Sequence, residues 1–553
     1  MAIVTFSRKQ FEKDIGKLSE EMKGRIAMFG TPLERESEEE ISIEVFPNRP
    51  DLLSYQGFKR GFLGFLGKET GLKQYKLNKP EENYKVVIDS SVKEIRPHTA
   101  CAIVRGLDLD DEKIREIIQV QEMLHLTLGR KRKKAAIGIY PLEKIQLPIT
   151  FKALEPDKIK FTPLEMDKEL SGLEILQRHP AGKEYAHLLA GKVMFPVFAD
   201  AKGQILSMPP VINSQITGRV SADTKDVFIE CSGFDMNTLK ICLNIITTCL
   251  ADMGGKIYQM ELLRGSLRSK ELTPDFTPRV MKISLENTNK LLGTGLSERQ
   301  LKDCLEKMGH NYKNKVAEIS AWRADILHEV DLIEDVAIAF GYENLSPEIP
   351  EISTIGEENP AEKAKRGMAL TLSGLGFLET SSYHLTNRKF QAENMNLPEK
   401  EALIDVEQSK TEYNILRKNL AHSLLKILSE NVDAEYPQKI FEIGKTFGFA
   451  QGKIDEAESL SLAIAPGNFT DARQAAEYMF RMLGIEPEVS FSEPANFPPW
   501  FIEGRVAEVK IGGKGAGFLG EIHPKILKNW RIKMSVALFE ISLEEILRKV
   551  MER

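Results

Sequence analysis

The sequence predicts an α+β protein built from several domains. Its 553 residues are several times the length of about 150 residues that a single domain usually has. Segments with the alternation of strands occur between segments with the apolar repeat of helices along the whole chain. Polar, proline-bearing stretches interrupt these segments and indicate linkers. We therefore expect four domains, at residues 1–83, 84–272, 276–350 and 358–553.

The composition is that of a globular protein with reduced cysteines. Lys+Arg number 75 and Asp+Glu 81, a net charge of −6, so contact with a nucleic acid would have to use a local basic patch. The five cysteines are scattered without a C-x-x-C pair, which favours free thiols and a cytoplasmic location. The amino terminus lacks the apolar core of a signal peptide. The apolar stretch from Ile241 to Ala251 is too short to span a bilayer and predicts a buried helix.

The first predicted domain begins with a strand and a helix. The strand IVTF is followed by Ser7 and Gln10 at the spacing of a capping box. A second strand, ISIEVF, leads into a turn with two prolines, Pro47 and Pro50. The helix after this turn is expected to begin with Asp51 as its N-cap.

The second predicted domain mixes strands with two longer helices. Strands are predicted at KVVID, ACAIVRGL, AAIGIY, VMFPVFAD and DVFIEC, and helices at 112–128 and 237–253. The domain contains a dense basic run, which consists of Arg130, Lys131, Arg132, Lys133 and Lys134. A run of this kind is usually a solvated loop, but it also has the pattern that contacts RNA phosphates.

A group of polar residues follows in the same domain. This polar group consists of Asn213, Ser214, Thr217, Thr224 and Glu230. In loops such side chains usually bind their own backbone. They also have hydrogen-bonding groups that could orient water beside an ester, although no nucleophile can be named among them.

The third predicted domain contains the acidic stretch AWRADILHEVDLIEDVAIAFGY, residues 321–342. A helix is expected from Glu329, with an apolar stripe of Val330, Ile333, Ala337 and Phe340. Four carboxylates can converge at the start of this helix, those of Asp325, Asp331, Glu334 and Asp335. An all-oxygen set of this kind suits Mg²⁺. Acids in a first helical turn are also common without a metal, because the helix dipole favours them.

The last predicted domain begins with a long helix. It continues through the strands FLETSSYHL, IFEIGKTFGF, RVAEVKI, AGFLGEI and ALFEI, which helices separate. The pattern predicts an antiparallel sheet with helices packed on it.

Several of these motifs together resemble one protein family. WRADILHEVDLIEDV followed by AFGY is similar to the B5 domain of the β-subunit family of phenylalanyl-tRNA synthetases, although many bacterial members have proline at the position of Ala324. FPNRPDLLS resembles the amino-terminal domain of this family, and HPAGKEYAHLL with PPVINSQITGRVSADTKDVFIECSG resembles its B3/B4 editing domain. LRKNLAHSLLKIL, IFEIGKTF and LGEIHP resemble its class II synthetase-like domain. The resemblance covers most of the chain.

The resemblance implies a role for each group of residues. In the B5 domain it implies Mg²⁺ bound by the four acids named above. In the editing domain it implies hydrolysis of mischarged Tyr-tRNA(Phe), with the polar group near the ester and the basic run near RNA phosphates. A pocket for phenylalanine penalises the extra hydroxyl of tyrosine only weakly, so a second, hydrolytic site is expected.

The last domain is expected to have no catalytic residue for aminoacylation. Class II synthetases bind the α-phosphate of ATP with an arginine in motif 2 and another in motif 3. No arginine lies two residues before Glu442, and none soon follows the glycines near Gly517. The resemblance therefore implies an α subunit that carries out the ATP-dependent attachment of phenylalanine, in an (αβ)₂ heterotetramer with tRNA(Phe). The chain resembles the short archaeal and eukaryotic type.

Two other classes of function are compatible with the residues alone. A stand-alone Mg²⁺-dependent phosphohydrolase or transferase would use the four acids catalytically and would need a substrate pocket beside Asp331. A non-enzymatic RNA-binding scaffold would bind tRNA and hydrolyse nothing.

Overall fold

The computed structural model describes residues 2–264, 269–398, 402–407 and 409–551. The chain forms two compact units, Met1–Ile349 and Pro350–Arg553. The three domains predicted before residue 350 thus belong to one unit, and the boundaries between them stay predictions. None of the described helices is long and apolar enough to cross a membrane.

The first unit opens with a three-stranded antiparallel sheet in the order β1-β3-β2. The elements of this part are β1 (Ala2–Ser7), α1 (Arg8–Asp14), α2 (Glu20–Met28), β2 (Leu33–Glu36), β3 (Glu40–Val45), α3 (Tyr55–Phe65) and β4 (Leu77–Asn78).

One of the two predicted helix caps in this part is correct and the other is wrong. Ser7 caps α1, because its Oγ accepts the N–H of Gln10 at 3.3 Å. The carboxylate of Asp51 accepts two hydrogen bonds from the guanidinium of Arg49, at 2.9 and 2.8 Å, and so is not available to a helix. Ser54 caps α3 instead, because its Oγ accepts the N–H of Gly57 at 3.0 Å.

A large mixed sheet forms the middle of the first unit. Its main path among the described residues is β13-β12-β11-β8-β5-β15-β6-β14-β7, and β4 and β16 also pair with β15. The elements are β5 (Lys85–Ile88), β6 (His98–Arg105), α4 (Asp111–Leu126), β7 (Ala135–Pro141), β8 (Ile149–Leu154), β9 (Lys160–Phe161), β10 (Leu170–Ser171), α5 (Gly172–Arg178), α6 (Pro180–Tyr185), β11 (Phe195–Ala199), β12 (Ile205–Met208), β13 (Ile212–Asn213), α7 (Gln215–Gly218), β14 (Val227–Gly233), α8 (Met236–Asp252), β15 (Lys256–Arg264) and β16 (Ser269–Thr273).

Helix α8 connects this sheet to the parts before and after it in sequence. It packs on β6 and β14 and also contacts α3 and α4, as expected for a helix that is apolar on most sides. Its residues, including Leu243 and Ile246, share one buried cluster with Phe58 and Phe62 of α3 and with Leu301 in the last part of the unit. The predicted buried helix is therefore confirmed, and a common core explains why residues 1–349 form one unit.

The last part of the first unit is a three-stranded sheet, in the order β17-β19-β18, with three helices. Its elements are β17 (Arg279–Lys282), α9 (Leu285–Leu292), α10 (Glu298–Lys307), β18 (Asn311–Lys313), β19 (Val316–Ile319) and α11 (Glu329–Phe340). Helix α11 begins at the predicted residue. Ile333 and Ala337 of its apolar stripe are buried, whereas Val330 is 49 % exposed.

The second unit is a seven-stranded sheet in the order β20-β23-β24-β28-β27-β26-β25. Neighbouring strands are antiparallel except β20 and β23. Helices α12, α14 and α16 cover one face, and α13 and α15 cover the other. The elements are α12 (Pro360–Gly374), β20 (Leu378–Glu379), β21 (Leu385–Thr386), β22 (Ile415–Leu416), α13 (Ala421–Glu430), β23 (Gln438–Ala450), β24 (Lys453–Ala465), α14 (Phe469–Met482), β25 (Val489–Ser492), β26 (Phe501–Ile511), β27 (Lys514–Ile522), α15 (Pro524–Asn529), β28 (Ala537–Ser542) and α16 (Glu544–Met551).

Candidate functional site

A small cavity of about 100 Å³ lies beside strand β14 in the first unit. Two members of the polar group line it, Asn213 and Glu230, and one member of the basic run, Arg132. The other lining residues are Gln121, Glu122, His125, Ala136, Ile137, Leu164, Pro209, Pro210, Val211 and Ile212. The cavity thus brings together residues from α4, β7, β13 and β14 that are far apart in sequence.

Glu230 has one carboxylate oxygen with a partner and one without. It lies in the middle of β14, 2 % exposed, opposite Cys101 of β6 and Gly138 of β7. The hydroxyl of Tyr140 is 3.2 Å from Glu230 Oε1 and 3.2 Å from Asn213 Oδ1. Glu230 Oε2 is buried and has no hydrogen-bond partner among the described residues. Leaving such an acceptor unpaired costs about 1–3 kcal/mol, so the structure holds an acceptor ready for a donor at this cavity.

Burial raises the pKa of Glu230 to about 8, because the interior disfavours the charged carboxylate. The nearby charge of Arg96 opposes this rise in pKa only in part. At neutral pH the carboxyl is therefore mainly protonated. In that form it can donate to the Tyr140 hydroxyl, which can then donate to Asn213.

A glycine makes the room for this arrangement. A Cβ atom at Gly138 would lie 2.1 Å from Tyr140 Oη and 2.7 Å from Glu230 Oε1. Both distances are far below van der Waals contact, so any larger residue would displace the two side chains. The sequence AAIGIY thus supplies both the space and the hydroxyl.

The basic run divides into an inward and an outward part. Arg130, Lys131 and Arg132 have φ values of 48°, 52° and 63°, a left-handed conformation that non-glycine residues seldom adopt. This tight turn leaves Arg130, Lys131, Lys133 and Lys134 exposed. The guanidinium of Arg132 instead donates to the backbone oxygen of residue 211 at 2.8 Å and lies 4.4 Å from the ring centroid of Tyr185.

Glu122 and His125 hold Arg132 at the cavity. Glu122 Oε1 accepts from Arg132 at 3.2 Å and lies 3.1 Å from His125 Nδ1. Because His125 Nε2 accepts the N–H of Ile137 at 2.8 Å, its proton is on Nδ1 and faces Glu122. Although burial opposes it, the hydrogen bond from His125 and the charge of Arg132 lower the pKa of Glu122 to about 2. Neither ring nitrogen of His125 is free to act as a base.

Three members of the polar group lie outside the cavity lining. Thr224 Oγ1 accepts the N–H of Ser221 at 3.1 Å, and Thr217 Oγ1 donates to the backbone oxygen of Leu206 at 3.4 Å. Ser214 is 1 % exposed at the start of α7. Thr224 thus has the local role that such side chains usually have in turns, and Thr217 binds the backbone of strand β12. Of the polar group, only Asn213 and Glu230 line the cavity.

The four acids of the third predicted domain do not converge on one point. Asp325 accepts from Arg323 Nε at 2.8 Å and Nη2 at 2.7 Å, and Asp335 accepts from the same Nη2 at 3.1 and 2.9 Å. Asp331 is turned toward the backbone, where its Oδ2 accepts the N–H groups of residues 327 and 328, both at 2.7 Å. Glu334 is exposed.

This arrangement does not fit a magnesium ion. Mg²⁺ needs near-octahedral oxygen ligands at about 2.0–2.1 Å, but Asp325 and Asp335 are bound to a guanidinium and Asp331 caps a helix. Among the described residues, no group of three or more His, Cys, Asp or Glu side chains could hold a metal ion. Helical spacing correctly put three acids on one helix. It could not show that Arg323, two residues before Asp325, would reach between Asp325 and Asp335.

The second unit contains a cavity of about 670 Å³, whose lining includes Tyr383, His384, Tyr413, His422 and Lys426. The ammonium of Lys426 lies 3.8 Å from a carboxylate oxygen of Glu430 and 5.4 Å from the ring centroid of Tyr413. The lining is therefore aromatic and polar, and its lysine already has partners inside the protein.

Two polar residues on the face of the sheet that α13 covers, Arg417 and Glu540, bind other groups of the protein. Arg417 is 1 % exposed, and its Nη1 donates to Glu442 Oε1 at 2.5 Å. Glu540 accepts the N–H groups of Leu420 and Ala421, at 2.8 and 2.7 Å, at the start of α13. Burial raises the pKa of Glu540 to about 7. The buried arginine on this face is thus already paired with protein and is not free to bind phosphate.

Sequence reasoning missed Tyr140, Glu122 and His125 as residues of the site. Tyr140 meets Glu230 only because β7 pairs with β14 in a register that puts Gly138 opposite Glu230. The alternation of AAIGIY shows which residues share a face, so Gly138 and Tyr140 could be grouped. The sequence of this segment does not show which strand pairs with it.

Comparison with known proteins agrees with this architecture. The family model for the phenylalanyl tRNA synthetase beta chain CLM domain matches residues 345–543, and that for the tRNA synthetase B5 domain matches 281–342. The phenylalanine–tRNA ligase beta subunit of Thermococcus sibiricus is 40% identical over 507 residues, 90% of this chain and 89% of the relative. The beta subunit of Archaeoglobus fulgidus is 38% identical over 551 residues, 98% of each chain.

A solved structure is also similar to this chain. An N-terminal fragment of the phenylalanyl-tRNA synthetase beta subunit from Pyrococcus horikoshii is 37% identical, with a TM-score of 0.58, and the match covers 61% of this chain and 99% of the fragment. The resemblance predicted from the motifs is confirmed. The chain belongs to the family of phenylalanine–tRNA ligase beta subunits, enzymes of translation.

Proposed function

We propose that this chain works with an α subunit and tRNA(Phe) in an (αβ)₂ heterotetramer in the cytoplasm, and that the cavity beside β14 removes wrongly attached tyrosine. The observation that carries the editing proposal is the unpartnered Oε2 of Glu230 in a cavity shared with Asn213. Attachment of phenylalanine with ATP is assigned to the α subunit. The pairing of Arg417 with Glu442 supports this assignment, because this arginine is not available to ATP.

The chemistry of Glu230 suits the recognition of a phenol. The hydroxyl of a bound tyrosine donates to Oε2 and so pairs the acceptor, whereas phenylalanine would bury that acceptor without a partner. A site built to bind a hydroxyl can reject the analogue that lacks it by about 10⁴–10⁵-fold. Glu230 Oε2 therefore favours binding of tyrosine and disfavours binding of phenylalanine.

Water is the attacking group in this proposal. None of the described residues that line the cavity is a serine, threonine or cysteine, and His125 uses both ring nitrogens. Water adds to the carbonyl carbon of the ester, the bond from this carbon to the ribose oxygen breaks, and a proton from the water passes to that oxygen. Free tyrosine leaves, and tRNA(Phe) is restored with its ribose hydroxyl. Asn213, Tyr140 and Glu230 hold the side chain while this occurs.

The cavity must open to admit its substrate. Ligand pockets usually measure about 300–1,000 Å³, and this cavity is about 100 Å³. The tight turn of the basic run holds Arg132 against the cavity and leaves four cations outside it, where they suit the phosphates of an incoming 3′ end. Magnesium has no part in this proposal, because the four acids do not fit it.

The test is deacylation of Tyr-tRNA(Phe) by the intact complex. Glu230→Ala removes the acceptor and is expected to slow deacylation about ten- to a hundredfold, the rate equivalent of one hydrogen bond. Glu230→Gln keeps an acceptor and should retain more activity. The exposed Glu143→Gln in the same region is the matched control. Phenylalanine charging should stay intact in all three.

Two outcomes would overturn the editing proposal. Undiminished deacylation by the Glu230→Ala complex would place the reaction elsewhere. A wild-type complex that binds tRNA(Phe) but hydrolyses no Tyr-tRNA(Phe) would favour the RNA-binding scaffold.

A further inference from the structure

Arg323 lies between two carboxylates in the loop from β19 to α11. Its side chain is 2 % exposed, and those of Asp325 and Asp335 are 12 % and 5 % exposed. Its Nε and Nη2 donate to Asp325 in two parallel bonds, and Nη2 also reaches Asp335. This two-pronged geometry is the strong form of an ion pair. One cation thus serves both acids.

Other groups inside the protein also stabilise the charged form of the two acids. His310, fully buried, has its Nε2 2.8 Å from Asp335 Oδ2. Burial alone would raise the pKa of both carboxyls, but the charge of Arg323 keeps the pKa of Asp325 and of Asp335 below the ordinary value. The positive charge of Arg49 lowers the pKa of both acids as well.

We propose that Arg323 is the permanent counter-ion of this acidic group and that the surrounding fold is stable without a bound magnesium ion. A metal at this place would have to displace a guanidinium that makes contacts with both acids. The two other acids do not help, since Asp331 is engaged by backbone N–H groups and Glu334 is exposed.

Arg323 lies where its loop contacts other parts of the first unit, so a cation supplied by the chain itself can stabilise these contacts. Arg323, Trp322, Arg49 and Arg60 line one cavity of about 150 Å³. The guanidinium of Arg60 lies 4.8 Å from the ring centroid of Trp322 and pairs with Asp252 of α8 at 2.7 Å. The loop that carries Arg323 thus contacts residues from the beginning and the middle of the first unit. A covalently attached cation holds this contact at any metal concentration.

The experiment measures metal content and stability of the full-length chain. The chain is equilibrated with Mg²⁺, dialysed, analysed for bound metal, and unfolded by heat with and without EDTA. We expect no retained Mg²⁺ and no change in the unfolding midpoint with EDTA. Stoichiometric Mg²⁺ together with a lower midpoint in EDTA would overturn the proposal.

A pair of variants tests the arginine itself. Arg323→Gln leaves two buried acids without their cation and should lower the unfolding midpoint of the first unit. Arg299→Gln, an exposed change on α10, should leave it unchanged. An unchanged midpoint in Arg323→Gln would also overturn the proposal. If Arg323→Gln does not fold, the measurements on the wild-type chain still decide.

Discussion

Two buried carboxyl groups in the first unit differ in their hydrogen-bond partners and in the direction of their pKa shifts. Asp335 has both carboxylate oxygens engaged by Arg323 and His310, and its pKa is lowered. Glu230 has one oxygen without a partner beside a cavity, and burial raises its pKa to about 8. Both carboxyls are almost inaccessible to solvent.

The difference shows how to separate a structural acid from a binding acid. A buried carboxylate that is fully paired has nothing left to offer a ligand, and removing it leaves buried hydrogen-bond donors without an acceptor. A buried carboxyl with an unpaired oxygen costs stability and persists where binding or catalysis uses it. By this reasoning Asp335 maintains the fold, and Glu230 belongs to the functional site. Substitutions at the two positions should therefore have different consequences.

The largest effect is expected at Asp335. Asp335→Asn should lower the free energy of unfolding of the first unit by about 3–5 kcal/mol, because the buried donors on Arg323 and His310 lose their charged acceptor. Glu334→Gln removes the same charge one position earlier on α11, but its side chain is exposed, so a change within about 0.5 kcal/mol is expected. Denaturant unfolding of both variants checks the prediction. If the two substitutions lowered the free energy of unfolding equally, Asp335 and Glu334 would have to bind a common ion, and the prediction would be wrong.

The second effect is a pH dependence at Glu230. The folded-state pKa of about 8 exceeds the ordinary value of about 4.3, so between these pH values the unfolded chain has released a proton that the folded chain keeps. Stability should therefore fall as pH rises through this window and level off above it, by an amount on the order of a few kcal/mol.

Glu230→Gln isolates this pH dependence. The variant cannot ionise at this position, so its advantage over the wild type should be absent near pH 4 and grow toward pH 8. Unfolding midpoints in denaturant across this range measure the difference. If the difference in unfolding midpoint between the two proteins did not change with pH, Glu230 would have an ordinary pKa. The proposed difference between Glu230 and Asp335 would then be wrong.

Local patterns predicted much of the fold, but not the pairings between distant elements. Helix α11 begins at the expected Glu329 because apolar spacing and capping residues are local. The cap at Asp51 was wrong because Arg49, two residues away, takes the carboxylate. For the site, Glu230 and Asn213 were found from their residue types. Tyr140 was missed because its contact depends on strand register, which is set by the whole sheet.

The smallest effect is expected from the exposed cations of the basic run. Lys131 and Lys133 are exposed and lie beside the turn that carries Arg132 toward the cavity. If they contact RNA phosphates, the double variant Lys131→Gln/Lys133→Gln should weaken tRNA(Phe) binding by the complex only a few-fold at moderate salt. It should also reduce the slope of log K against log salt by about 0.7–0.9 for each phosphate that is no longer neutralised.

Two exposed lysines of the same unit that lie outside the basic run serve as the control. Lys168→Gln/Lys202→Gln changes two exposed lysines and makes the same change in net charge. Because a change in net charge affects both double variants alike, a difference in slope reports specific binding of phosphate by Lys131 and Lys133. Identical slopes in the two variants would mean that the basic run is a solvated loop without contact to RNA phosphates. The proposal for Glu230 and its cavity does not depend on this result.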